Sequence, residues 1–225
     1  DTSGAVSAGE NFPVNPKSAY ARSKWEQEKI LEKLRGGEIY SEQLIIRPAA
    51  VIGPRSRYGA AKIMEFIAGG ELQFFLGKKN LIATLVHVED LVNATIYLAE
   101  CDWNRLKMIT GSEIPIFNIV DDSRYFYEEL ILYVADLLKE THGTKIIPIH
   151  LPIWMLKPVV QWQGYLAKKH NTRPKLTEGL LGFFEAPMTM NNFSLKAAGF
   201  DDFKYPDTKE AIKETISWYL REGWI

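Results

Sequence analysis

Short apolar runs that stop at proline or polar residues alternate along this chain with longer amphipathic stretches, and that alternation narrows the folds open to it. "QLIIRPAAVIGP" holds an apolar run at Leu44 to Ile46 that Pro48 stops, since proline cannot donate to a ladder; a buried strand followed by a loop is expected. "LIATLVHV", "IPIFNIV" and "KIIPI" read as further strands. Between them lie segments with helical spacing, and strands alternating with helices predict an α/β architecture with parallel pairing.

The first helix is expected from Ser18 to about Leu34, with Tyr20, Trp25, Ile30, Leu31 and Leu34 on its apolar side and Gly36 and Gly37 ending it. Others are expected near Gly59 to Ala68 and over "EDLVNATIYLAE", with Leu91, Val92, Ile96 and Leu98 on or near the inner side. A long helix follows in "SRYFYEELILYVADLLKETHG", N-capped by Ser123 and closed by Gly143. The remainder is expected to be mostly helical: Leu151 to Leu166, Pro174 to Leu181 and Pro206 to Glu222, with a joint at "AAGF". This suggests a division into residues 1–150, sheet-bearing, and 151–225, a helical subdomain on the substrate side.

Charge excludes some partners. The 27 Lys and Arg nearly cancel the 28 Asp and Glu, so no overall basic field draws in nucleic acid. The single cysteine, Cys101, forms no intrachain disulfide or zinc motif, which fits a reducing cytoplasm. His142, His150 and His170 show no metal-ligand spacing, and no metal is expected. The start, "DTSGAVSAGE", has neither the basic nor the apolar region of a signal peptide.

"NPKSAYARSKWEQEKIL" places Tyr20 and Lys24 one helical turn apart. An ammonium at that distance favours a phenolate, the charge state a base needs. Spacing alone is weak evidence, because Tyr58/Lys62, Tyr165/Lys169 and Tyr205/Lys209 share it. On that ground alone a solvated lysine beside a half-buried tyrosine is the favoured reading of the pair.

The surrounding residues separate it from the others. "NFPVNPKSAYARSKWEQEKIL" resembles the active-site segment of the extended short-chain dehydrogenase/reductase superfamily, the NAD-dependent epimerase/dehydratase family. "LIIRPAAVIGP", "LVHVEDLVNATIYLAE", "FNIVDD" and "KAAGFDDFKYPDTKEAIKETISWYLREGWI" resemble its later segments, in order. The resemblance implies the later part of a Rossmann-like doubly wound parallel sheet plus a mostly helical substrate-binding subdomain. It implies NAD or NADP as cofactor, with Tyr20 moving a proton at the substrate oxygen and Lys24 holding the nicotinamide ribose. Pro48, Ala49, Ala50 and Val51 would lie beside the nicotinamide.

Departures from the family pattern carry information too. The glycine-rich turn that receives the pyrophosphate does not occur in these residues, and residue 1 falls just after the family's fifth strand. The dinucleotide-binding half is therefore expected ahead of it in a longer polypeptide, unless the chain is a cleaved fragment. The family's Ser or Thr would precede Asp1, with Thr2 and Ser3 the nearest candidates here. His87 and Asp90 read as structural, Asp90 capping or orienting the next helix.

Nucleotide-sugar members tend to carry an arginine just ahead of His-Val-x-Asp, where this sequence has Ala83. Arg55, Arg57, Lys78 and Lys79 read as solvated loop charges. The apolar and aromatic stretch Ile147 to Trp162 is explained mostly by packing between helices, with a wall over the substrate or a surface resting on a membrane as the functional readings. The branch most resembled is that of hydroxysteroid dehydrogenases and dihydroflavonol reductases. The expected activity is hydride transfer on a moderately apolar small molecule, with a nucleotide-sugar epimerase or dehydratase, or a non-catalytic dinucleotide sensor, as alternatives. The apolar side of the Tyr20 helix could also join a homodimer.

Overall fold

The computed structural model describes residues 7–16, 18–35, 42–172, 174, 178–182, 184–185 and 189–225. Thr2, Ser3, Gly36 and Gly37 lie outside them. The elements run α1 (Ala19–Leu34), β1 (Ile45–Pro48), β2 (Ala50–Ile52), α2 (Ala60–Ala68), β3 (Phe74–Leu76), β4 (Ile82–Ala83), β5 (Leu85–His87), α3 (Val88–Glu100) and α4 (Trp103–Thr110). Then come β6 (Ile116–Ile119), β7 (Tyr125–Phe126), α5 (Tyr127–Leu137), α6 (Lys139–His142), β8 (Ile147–Leu151), α7 (Lys157–His170), α8 (Glu178–Gly182), α9 (Phe193–Ala197) and α10 (Thr208–Arg221).

Pairing is parallel for β1 with β6, β2 with β5 and β3 with β8; β4 with β7 is antiparallel. The α/β class with mainly parallel pairing is therefore present. Two apolar clusters hold it together. One gathers Ile52, Phe75, Tyr127, Ile131, Ile216 and Tyr219, so that α10 returns from the C-terminus to pack on α5 and β5. The other gathers Val86, Leu98, Leu106, Phe117, Ile119 and Leu195 around β6.

Pro48 ends β1 as expected, but as a paired residue of the strand, opposite Ile119. Parallel strands turn successive backbone groups to opposite sides. Ile45 and Ala49 donate toward β6, to Pro115 and Ile119, so position 48 faces away from β6 and its missing N–H leaves that ladder intact. The expected loop after it is largely β2, which leaves β1's partner to pair with β5.

Other expectations shift by a face or a few residues. In α3 the buried side chains are Asp90, Ala94 and Leu98, while Val92 and Ile96 are exposed. The long apolar segment begins with β7, and Phe126 occupies the N-cap of α5 in place of Ser123. Ser123 instead bonds to Asp121 and accepts from the Thr208 amide. Strand β3 and helix α4 are additions to the expected elements. Gly77, after β3, has φ +73°, and a Cβ there would lie 1.9 Å from the carbonyl oxygen of Phe184, which accepts from the next amide, Lys78.

Candidate functional site

Helix α1 begins as its sequence dictates: the Ser18 hydroxyl accepts from the Ala21 amide at 3.0 Å. Its apolar side is not buried, however. No α1 side chain falls in the buried class, and Ile30 and Leu34 are exposed.

Tyr20 is 73% exposed, and the Lys24 ammonium lies 5.8 Å from its ring centroid. The same ammonium donates to Gln27 Oε1 at 3.3 Å. Residues 20, 24 and 28 recur at four-residue steps, so Tyr20, Lys24 and Glu28 share one stripe of the helix. Glu28 is where that stripe is tied down: the Arg47 guanidinium forks onto its carboxylate at 2.9 and 2.7 Å, and donates at 2.8 Å to the Glu10 carbonyl.

Arg47 immediately precedes Pro48, so this fork ties α1, at Glu28 two turns on from Tyr20, to β1. The expected cofactor segment starts there. Ala49 is buried, its amide committed to Ile119, while Ala50 and Val51 are half-buried within β2. No hydrogen bond among the described residues joins the dyad to Pro48, Ala49, Ala50 or Val51 directly; Arg47 and Glu28 make the connection.

Glu10 extends the network. Its carboxylate accepts from the Asn118 amide on β6 and from the Ser194 hydroxyl, both at 2.9 Å, while Asn118 Nδ2 donates to the Ala8 carbonyl at 3.2 Å. The loop approaching α1 is thus pinned to the sheet. Sequence reasoning passed over Glu10, Glu28 and Asn118; the available signal was a charged residue, Arg47, inside an otherwise apolar strand.

Because a lysine at 47 would retain the charge without the planar fork, Arg47→Lys is expected to weaken the docking of α1 by about 1 kcal/mol. Amide hydrogen exchange in α1 should then speed up about fivefold while exchange in α10 stays the same. Equal rates in both proteins would show that the fork does not hold the helix.

His87 is fully buried, and its Nδ1 accepts from the Glu89 amide at 3.3 Å, which makes it the N-cap of α3. Its Nε2 lies 3.1 Å from Glu214 Oε2 on α10. Asp90 does not cap α3: its two oxygens accept the Lys204 and Tyr205 amides at 2.7 and 3.0 Å, tying the first turn of that helix to the segment before α10. Gly53, at φ +139°, gives this histidine room, since a Cβ there would sit 2.6 Å from Val88 Cγ1 and 3.1 Å from His87 Nε2. These contacts account for His-Val-x-Asp as structure.

Ala83 borders an apolar cavity of about 80 Å³, together with Ala50, Met64, Leu85, Ile131 and Phe184. Among the described residues no guanidinium lines this wall. Deeper in the fold, Asp121 at the end of β6 accepts from Ser123 and from the Thr208 hydroxyl, and burial pushes its carboxyl up to about 7 despite those bonds. Among the described residues no three His, Cys, Asp or Glu side chains are placed to hold a metal ion.

Mainly parallel strands with helices between them define a Rossmann-like α/β fold, and α1 carries a tyrosine and a lysine one turn apart. Residues 3–105 match the model of the NAD dependent epimerase/dehydratase family. Over those residues the chain is similar to that family. It is 27% identical over 144 residues to the N-acetyl-alpha-D-glucosaminyl-diphospho-ditrans,octacis-undecaprenol 4-epimerase of Escherichia coli O157:H7, covering 64% of this chain and 40% of that one. It is 24% identical over 216 residues to human short-chain dehydrogenase/reductase family 42E member 1, covering 91% of this chain and 52% of the relative.

The chain thus spans about half the length of the curated relatives it matches, or less. Among solved structures, UDP-glucose 4-epimerase from Thermotoga maritima, with UDP-glucose, superposes with a TM-score of 0.64 at 21% identity, over 98% of this chain and 59% of that one. The Thermus thermophilus UDP-glucose 4-epimerase in complex with NAD gives 0.61 at 19%, over 96% and 58%. At that identity the superpositions establish the fold.

Proposed function

We propose that this chain carries the catalytic and substrate-side part of an NAD- or NADP-dependent oxidoreductase of the extended short-chain type, acting between a secondary alcohol and a carbonyl on a moderately apolar small molecule. The observation that supports this is the exposed Tyr20/Lys24 pair on α1, a helix tied to β1 by the Arg47 fork onto Glu28. A bound nicotinamide dinucleotide supplies or takes the hydride. The residues here fit the nicotinamide end of such a group: Lys24 offers an exposed ammonium to the ribose, and small side chains at Ala49 and Ala50 leave room beside the ring.

The Tyr20 hydroxyl gives or takes the proton at the substrate oxygen. Lys24 stabilises the phenolate left when it gives that proton, through the attraction of an ammonium one turn away. Arg47 and Glu10 act at a distance, as positioning residues for the helix and its approach loop. Small and apolar side chains at Ala83, Ala50 and Leu85 favour an uncharged substrate body over a diphosphate.

A second reading, a nucleotide-sugar or lipid-diphosphate-sugar epimerase or dehydratase, is supported by the names of the relatives. The test is to incubate the full-length polypeptide with reduced and oxidised nicotinamide dinucleotides and a panel of apolar ketones, secondary alcohols and UDP-sugars. Net change in nicotinamide absorbance with a ketone or alcohol supports the proposal. A UDP-sugar converted to its epimer with no net change supports the second reading, and cofactor binding without turnover of any compound would leave a dinucleotide sensor.

A further inference from the structure

Helix α7 has two faces with opposite fates. Val160 and Ala167 are buried against the fold, with Ile153 from the preceding 3₁₀ turn. On the far side Val159, Trp162 and Tyr165 follow one another at three-residue steps, and Trp162 is 64% and Tyr165 65% exposed. Trp154 and Met155, in the 3₁₀ turn just before the helix, are exposed as well, Trp154 at 69%. Packing explains half of this stretch and leaves a stripe of large apolar and aromatic side chains in water.

The charge along this stretch of sequence has one sign. From Thr141 to Thr177 the sequence contains no Asp or Glu but has Lys145, Lys157, Lys168, Lys169, Arg173 and Lys175, in a chain whose formal net charge is −1. Lys157 opens α7, and Lys168, Lys169 and His170 close it, all exposed, so cations stand at both ends of the aromatic stripe. At about 1.5 Å per residue the helix is roughly 20 Å long, and none of the described helices is long and apolar enough to cross a membrane.

A basic helix that turns Trp, Tyr and Met outward matches the boundary of an anionic bilayer, where aromatic rings settle at headgroup depth and lysine stems reach up to the phosphates. A protein partner would need an acidic rim around an apolar groove; an anionic lipid surface supplies both in one plane. We infer that the Trp154 to Tyr165 face of α7 rests on the surface of a membrane rich in acidic phospholipid, with the helix lying in the interface.

The experiment is flotation of the full-length polypeptide with vesicles of phosphatidylcholine, with and without phosphatidylserine. Binding is expected to the phosphatidylserine vesicles, with the tryptophan fluorescence moving to shorter wavelength. A combined Trp154→Ser, Trp162→Ser variant should bind about a hundredfold more weakly, a factor of about ten for each ring withdrawn from the interface. Lys168→Gln with Lys169→Gln should cost about tenfold on phosphatidylserine vesicles and nothing on phosphatidylcholine alone.

Both variants alter exposed side chains, so unchanged thermal unfolding would separate a lost surface from a lost fold. Failure to bind either vesicle overturns the inference, as does binding insensitive to the tryptophan changes. So does a self-association that the tryptophan variant abolishes, which would make the stripe an interface between copies. Vesicle binding does not depend on turnover: Tyr20→Phe should float like the unaltered protein, so failure here is distinguishable from failure of the proposed chemistry.

Discussion

Replacing Tyr20 by phenylalanine in the full-length polypeptide is expected to reduce hydride transfer by about a thousandfold, within the range of roughly 10² to 10⁴ that a positioned acid or base contributes. The change removes one hydroxyl and keeps the ring that Lys24 faces. With the ring 73% exposed, little stability depends on it. Single-turnover oxidation of reduced nicotinamide isolates the chemical step, and cofactor affinity measured in parallel should be nearly unchanged. A variant that reduces substrate at the original rate would remove Tyr20 from the chemistry and favour the sensor reading. Loss of cofactor affinity without loss of the chemical step would make it a binding residue.

The second large effect concerns stability against pH. Asp121 is 5% exposed, and burial pushes its carboxyl up to about 7, outweighing the hydrogen bonds from Thr208 and Ser123, with Asp207 adding repulsion. In the unfolded chain an aspartate titrates near 4. Between those values the folded protein holds a proton that the unfolded protein has released, so stability falls as pH rises from about 4 to about 7 and levels off above. A displacement of about three pH units corresponds to roughly 4 kcal/mol across that window.

Asp121→Asn cannot titrate, and the difference between variant and parent in urea unfolding should shift toward the variant by about that amount on going from pH 4 to pH 8. The Glu89 carboxyl, held down by its hydrogen bond with Lys204, works in the opposite direction, but the pair is solvent-exposed and screened and cancels in the difference. The same pH slope in both proteins would place the titration elsewhere. The consequence for the fold is local, because Asp121 links the end of β6 to the first turn of α10 through Thr208.

What could be read from the residues alone was whatever depends on near neighbours along the chain. Alternating apolar runs and helical periods were enough for the α/β class. Ser18 starts α1 and Gly143, at φ +62°, ends α6, because capping acts over three or four residues. The spacing of Tyr20 and Lys24 places them together for the same reason: four residues is one turn, whatever lies around the helix.

The tertiary structure decided everything that required knowing which side of an element meets which neighbour. Periodicity cannot say which flank of α3 faces inward, so Val92 and Ile96 lie in water while Asp90 is buried to hold the Lys204 and Tyr205 amides. Proline's missing donor matters only on the side where a partner strand runs, and at Pro48 that side is empty of β6. A separation of 19 positions between Glu28 and Arg47 hides a fork that ties α1 to β1, and one of 108 between Glu10 and Asn118 hides the bond that anchors the approach loop. Local backbone preferences act within a turn, whereas these contacts form only when distant segments are packed together, and that packing turns two residues with a common spacing into a candidate site.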